Sequence, residues 1–167
     1  MLFRSGEINE IGLYPSTRSS TNNYDSKFIS DFNNYLDWTT TEGYNPDTLT
    51  SNMKIGDTML KMESNSTSAR EYKATISPID ISGYSINDSI AIAYKKADNN
   101  LSKIRVKFYS SASAYYYVDF TPESGTGDKL QSLTLNSLFS NYTPSPNLPD
   151  PSSITKIGVE KIGRAHV

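Results

Sequence analysis

The sequence predicts an all-β domain, a two-sheet antiparallel β-sandwich of jelly-roll type, and three observations carry that expectation. Segments 90–94, 103–109 and 115–120 alternate apolar and polar residues with a period of two, the spacing of strands that bury one face. Asn, Ser, Thr and Tyr are plentiful, and the apolar stretches are brief and bounded by turn formers. Eight candidate strands can be placed along the chain, which suits a jelly roll.

In order these are 28–32, 58–62, 72–76, 90–94, 103–109, 115–120, 130–135 and 154–160. Gly56-Asp57, Ser82-Gly83, Asp98-Asn99-Asn100 and Gly125-Thr126-Gly127 supply turns between them, the last read as a hairpin turn. Residues 136–151, punctuated by prolines, read as a longer crossing between sheets. The best helical candidate is 26–36, where Phe28, Phe32 and Leu36 recur every four residues, but strand is the favoured state there.

Taken as three neighbouring strands, 90–120 puts Ile90, Ile92, Ile104, Val106, Phe108, Tyr116, Val118 and Phe120 inward. Ala91, Ala93, Arg105, Lys107, Tyr109, Tyr115, Tyr117 and Asp119 then share the outer face, a shallow surface of rings and polar groups. The competing reading of that face is structural: Tyr favours strands, and Arg105 opposite Asp119 makes a cross-strand ion pair that serves only the sheet.

Both chain ends, 1–5 and 162–167, resemble translations of a sequencing adapter read through at the ends of an assembled DNA fragment. Setting them aside leaves roughly 155 residues of one domain, expected to be a piece of a longer protein. The single histidine, His166, falls in the second of these ends, and there is no cysteine. Ser-His-Asp and Cys-His catalysis, disulfide scaffolds and the usual zinc sites are thereby excluded. Hydrophobic content of 36% and a mean hydropathy of −0.52 are low but enough for a sandwich apolar on alternate residues. A net charge of −2, with no run of Lys or Arg, argues against nucleic acid as a partner, and no apolar run has the length of a membrane span.

Near the start, Ile8-Asn9-Glu10-Ile11-Gly12-Leu13 echoes Ile154-Thr155-Lys156-Ile157-Gly158-Val159 near the end. Residues 6–23 are therefore read as the end of a preceding module and its linker, or as an ordinary N-terminal strand, with the domain proper at 24–161.

The succession Ile29-Ser30-Asp31-Phe32, Trp38, Gly56-Asp57-Thr58-Met59-Leu60-Lys61, Ile79-Asp80-Ile81-Ser82-Gly83-Tyr84, the Tyr115-Tyr116-Tyr117 hairpin and 147–158 resembles galactose-binding-like jelly rolls. Many carbohydrate-binding modules belong to that family, and similar modules occur in secreted polysaccharide-active enzymes and in tail or other structural proteins of bacterial viruses. The resemblance spans about 24–161, and its most specific parts are the Asp80-Ile81-Ser82-Gly83-Tyr84 step and the segment 149–157. Where many relatives carry a tryptophan after the Tyr-rich hairpin, this chain has the region of Leu130 instead.

The resemblance implies a non-catalytic, extracellular or virion module that binds glycan, with the neighbouring domains of its own chain as further partners. Sugars lay their C–H faces on aromatic rings and exchange hydrogen bonds with planar polar groups. Tyr109, Tyr115 and Tyr117 are the candidate rings, Arg105, Lys107 and Asp119 the candidate polar contacts, and Trp38 a candidate loop platform whose alternative role is core packing. Tyr44, Tyr84 and Tyr142 are poorer candidates. No cofactor is expected beyond a structural calcium, for which the family pattern points to Asp31 and Glu160. A glycosidase needs two carboxylates at a set separation, and Asp80, Asp88, Asp119 and Glu123 offer raw material only, as the carboxylates of any such chain would, so an enzyme is the weakest reading. The principal alternative is a spacer or assembly domain of a phage tail protein.

Overall fold

The computed structural model describes residues 4–14, 27–30, 38–40, 47–49, 59–63, 70–96 and 101–163, with side chains placed for 11–14, 71–95 and 101–162. The strands are β1 (Arg4–Tyr14), β2 (Lys27–Ser30), β3 (Trp38–Thr40), β4 (Asp47–Leu49), β5 (Met59–Glu63), β6 (Arg70–Ile79), β7 (Ser89–Lys96), β8 (Leu101–Tyr109), β9 (Tyr115–Phe120), β10 (Gly127–Thr134) and β11 (Ile154–Gly163). One sheet runs β10-β7-β1-β5-β4, with β2 also on β1, and the other runs β3-β6-β11-β8-β9. Every pairing is antiparallel. The protein is an all-β, two-sheet antiparallel sandwich.

All eight expected strands are present, with ends shifted by a few residues. Segment 27–30, the start of the alternative helix, is strand; β3 and β4 are short additions that the sequence pattern did not announce. Residues 6–14, read as a module end or an N-terminal strand, lie in β1, which pairs with β7 on one side and with β2 and β5 on the other.

Two expected neighbourhoods are corrected. Segment 90–120 is not a three-stranded meander, because β7 belongs to the first sheet while β8 and β9 form a hairpin in the second. Ala91 and Ala93 therefore lie on the outer side of the opposite sheet from Arg105 and Tyr117. Alternation shows that a strand has a greasy face but not which sheet holds it. Likewise Gly125 and Gly127, with φ of 80° and 93°, turn the chain from β9 across to β10 in the other sheet rather than closing a hairpin. The expected Asp98-Asn99-Asn100 and Gly56-Asp57 turns lie outside the described residues.

The inward set is as the period of two requires. Ile90, Ile92, Ile104, Val106, Phe108, Val118 and Phe120 are each at most 1% exposed, and Tyr116 packs against them. From the first sheet Ile11, Leu13 and Tyr94 meet Tyr72, Ile157 and Val159 of the second. The Tyr94 hydroxyl, buried among them, donates to Gln131 Oε1 at 2.7 Å and accepts from the Glu123 amide at 3.1 Å. Burial raises its pKa above the ordinary phenol value.

The 136–151 crossing does join the two sheets, but it opens with one helical turn, α1 (Asn136–Phe139), which the prolines further on concealed. Leu138 anchors this turn in the core, and the Leu135 and Asn136 amides donate to the carbonyls of Asp88 and Ile86.

Phe108→Ala removes a fully buried ring from the core face of β8, and its expected cost is about 3 to 5 kcal/mol of unfolding free energy, read from denaturant midpoints.

Candidate functional site

On the outer side of the second sheet, register aligns three rows of side chains. Glu71, Glu160, Arg105 and Asp119 form one; Lys73, Gly158, Lys107 and Tyr117 the next; Thr75, Lys156, Tyr109 and Tyr115 the third. Glu71 directly opposes Glu160, an arrangement that repels unless a cation is shared. Lys107 is that cation, with Nζ 3.0 Å from Glu160 Oε2 and 3.3 Å from Glu71 Oε2. The contact to Glu160 Oε2 is one of charge without hydrogen-bond alignment.

The network extends in both directions. Arg105 grips Asp119 with two hydrogen bonds of 2.6 and 2.9 Å, Lys103 adds a third at 3.0 Å, and Lys73 lies 3.2 Å from Glu71. The Tyr109 hydroxyl donates to Glu71 Oε1. Cations also cover the rings: Lys73 over Tyr109 at 4.8 Å, Arg105 over Tyr117 at 4.4 Å and Lys107 over Tyr115 at 5.1 Å from the centroids. Gly158 makes this convergence possible, since a Cβ there would overlap the Glu71 carboxylate and come within 3.0 Å of the Tyr109 ring.

Charge states follow from these partners. Arg105 is held protonated even more firmly than usual by its hydrogen bonds with Asp119. Burial works against the Asp119 carboxylate, yet the hydrogen bonds from Arg105 and Lys103 outweigh it and keep its pKa below the ordinary value. Burial, and then the Glu71 carboxylate, push the Tyr109 phenol far up.

Of the expected sugar contacts, Arg105, Lys107, Asp119, Tyr109, Tyr115 and Tyr117 thus do come together, but around one another. Tyr109 is 3% exposed and Lys107 7%, so neither offers open surface to a ligand. Arg105 and Asp119 form the cross-strand pair of the structural reading. Trp38 begins β3, at the edge of this sheet farthest from β9 and in register with Ala74, so it does not join the tyrosines. Asp31 lies outside the described residues, and Glu160, its expected calcium partner, has Lys107 Nζ 3.0 Å from its Oε2. Among the described residues no group of three or more His, Cys, Asp or Glu could hold a metal ion. The carboxylates considered for hydrolysis are dispersed: Asp80 binds Ser82, Asp88 accepts from the Ser85 amide, and Glu123 stands 3.9 Å from Lys129.

A different arrangement stands open at one end of the sandwich. A cleft of about 470 Å³ is lined by Ser82, Tyr84 and Ile86 of the β6–β7 connection, Tyr116 of β9, Phe139 of α1, and Tyr142, Leu148, Pro149 and Pro151 of the β10–β11 crossing. Its volume is that of a small-molecule site. Tyr116 is the hinge of the arrangement: its ring meets Phe139 edge-on at 5.6 Å and Tyr142 at 6.1 Å, and its hydroxyl donates to the Pro149 carbonyl at 3.1 Å. The Tyr117 amide donates to Asn141 and the Thr143 amide to Tyr115, fastening the Tyr142 segment along β9. Ile81 donates to Pro151 at 2.8 Å and ties the other wall.

Ile86, Tyr142 and Leu148 are 55%, 47% and 59% exposed, so three large apolar side chains face water around one cleft. Such clustering marks a contact surface more than isolated apolar residues do. Tyr84 and Tyr142, poorer candidates on sequence grounds because they lie in loops, are part of this lining. The aromatic and proline density of 139–151 was the signal available for finding them.

No family model matches the chain, nor does any curated protein or solved structure.

Two outcomes are expected. Lys107→Met removes the one cation that Glu71 and Glu160 share, leaving Lys73 on the first and Arg105 at 3.9 Å from the second, and unfolding free energy falls by about 2 kcal/mol in denaturant titrations. Because the folded pKa of Asp119 is depressed, its contribution is present above the unfolded pKa near 4 and is lost as pH falls through the folded value. Denaturation midpoints followed from about pH 6 down to about pH 2 should show a shallower acid decline in Asp119→Asn than in the parent.

Proposed function

We propose that this chain is a non-catalytic carbohydrate-binding module of a larger extracellular or virion protein, a galactose-binding-like jelly roll that takes glycan in the cleft at the end of the sandwich. The observation that carries this reading is the open aromatic cleft around Tyr142, set against a tyrosine-rich sheet face whose polar groups satisfy one another. Tyr142 offers a half-exposed ring for the C–H face of a sugar. The Ser82 and Tyr116 hydroxyl oxygens, whose protons go to Asp80 and Pro149, can accept hydrogen bonds from its OH groups. The lining contains no carboxylate or imidazole suited to moving a proton, which favours binding over bond cleavage.

A second reading, a spacer or assembly domain of a phage tail or virion protein, is favoured by one specific feature. Ile86 and Leu148 are apolar and more than half exposed, a combination that also suits packing against a neighbouring protein domain.

A glycan array with the full chain separates the two. The expected result is a signal that Tyr142→Ala abolishes and Tyr117→Ala leaves intact, since the Tyr117 ring is already covered by Arg105. Silence across a broad array refutes glycan binding and favours the spacer, whereas a signal indifferent to Tyr142 refutes the cleft as its site.

A further inference from the structure

The cleft carries an electrostatic signature that bears on which glycans it would admit. Its lining contributes Ser, Tyr, Ile, Phe, Leu and Pro, and no side chain with a formal charge at neutral pH. Beside it stand two matching turns, Asp80-Ile81-Ser82 and Asp150-Pro151-Ser152. In each the aspartate Oδ1 accepts from the serine amide and the serine hydroxyl, at 2.8 and 2.6 Å in the first and 2.9 and 2.7 Å in the second. The hydrogen bond from Ile81 to Pro151 sets the two turns side by side, and Ser82 and Pro151 are themselves cleft wall.

The hydrogen bonds from Ser152 hold the Asp150 carboxyl below its ordinary pKa, although the charge of Asp80 pushes the other way. Asp150 follows directly on Pro149, a cleft residue whose carbonyl accepts from the Tyr116 hydroxyl, so its charge stands beside the cleft wall. Burial is the main reason the Tyr116 phenol is harder to ionise than usual, and the negative charge of Asp150 is the next. An arriving carboxylate or sulfate would meet the same repulsion, with no lysine, arginine or histidine in the lining to offset it.

We propose that the cleft prefers neutral pyranose units over uronic, sialic and sulfated sugars, with Asp80 and Asp150 as the residues that set this preference. The proposal rests on the glycan-binding reading above and adds the ligand class to it.

The test compares neutral oligosaccharides with carboxylated counterparts of the same linkage, gluco- against glucurono- and galacto- against galacturono-, at low ionic strength on the full chain. For a neutral sugar that binds, the acidic partner should be weaker by roughly three- to tenfold, and added salt should narrow that gap. The double variant Asp80→Asn, Asp150→Asn keeps an amide oxygen in each turn to accept the serine bonds while removing both charges. It should narrow the gap in the same direction and leave affinity for the neutral sugar little changed. The salt series on the unaltered chain answers the same question without relying on the variant to fold. Acidic sugars that bind as well as neutral ones, through Tyr142, overturn the selectivity and leave glycan binding standing. The absence of any Tyr142-dependent sugar signal overturns both.

Discussion

A single buried ammonium organises the outer surface of the second sheet. Register places Glu71 and Glu160 directly across from one another on β6 and β11, and Lys107, reaching over from β8, is the group that makes their proximity tolerable. Gly158, opposite Lys107 on β11, leaves the space into which the lysine, the Glu71 carboxylate and the Tyr109 ring converge. Once these are fixed, the rest of the surface follows as alternating charges and rings, ending at Asp119 under Arg105. The surface is thereby part of what holds the sheet together, its charges and rings engaged with one another.

The echo between the two ends of the chain has a physical counterpart. In β1 Ile11 and Leu13 face the core with Gly12 between them, and in β11 Ile157 and Val159 do so around Gly158. Both strands lie inside their sheets rather than at an edge. At each glycine an aromatic ring occupies the ground that a Cβ would need: Tyr14 over Gly12, within 2.8 Å of that position, and Tyr109 beside Gly158. An apolar-Gly-apolar triplet in a central strand buries two side chains and leaves a shallow seat for a ring on the other side.

The inward faces were legible residue by residue, because a period of two is a direct statement of which side chains share a side: Ile104, Val106 and Phe108 could be placed without any partner strand in view. Sheet membership was not legible. Ile90 and Ile92 are equally inward whether β7 neighbours β8 or sits across the core from it, and the second arrangement is the one adopted. The Arg105–Asp119 pairing was foreseeable from a two-strand register. The burial of Lys107 was not, since it depends on Glu71 and Glu160 arriving from strands about forty and fifty residues away in sequence. The cleft was least legible of all. It is assembled from a loop, a strand end, one helical turn and a proline-rich crossing, and local periodicity is silent about such meetings.

The segment that carries Tyr142 also runs along the outside of β9, exchanging backbone hydrogen bonds at Tyr115 and Tyr117. An uncovered β9 would present a row of unpaired amides and carbonyls, an invitation to add a strand from another molecule. With the Tyr115–Tyr117 part of that margin paired to the chain's own backbone, the tyrosine-rich start of β9 is shielded from adding a strand of another copy.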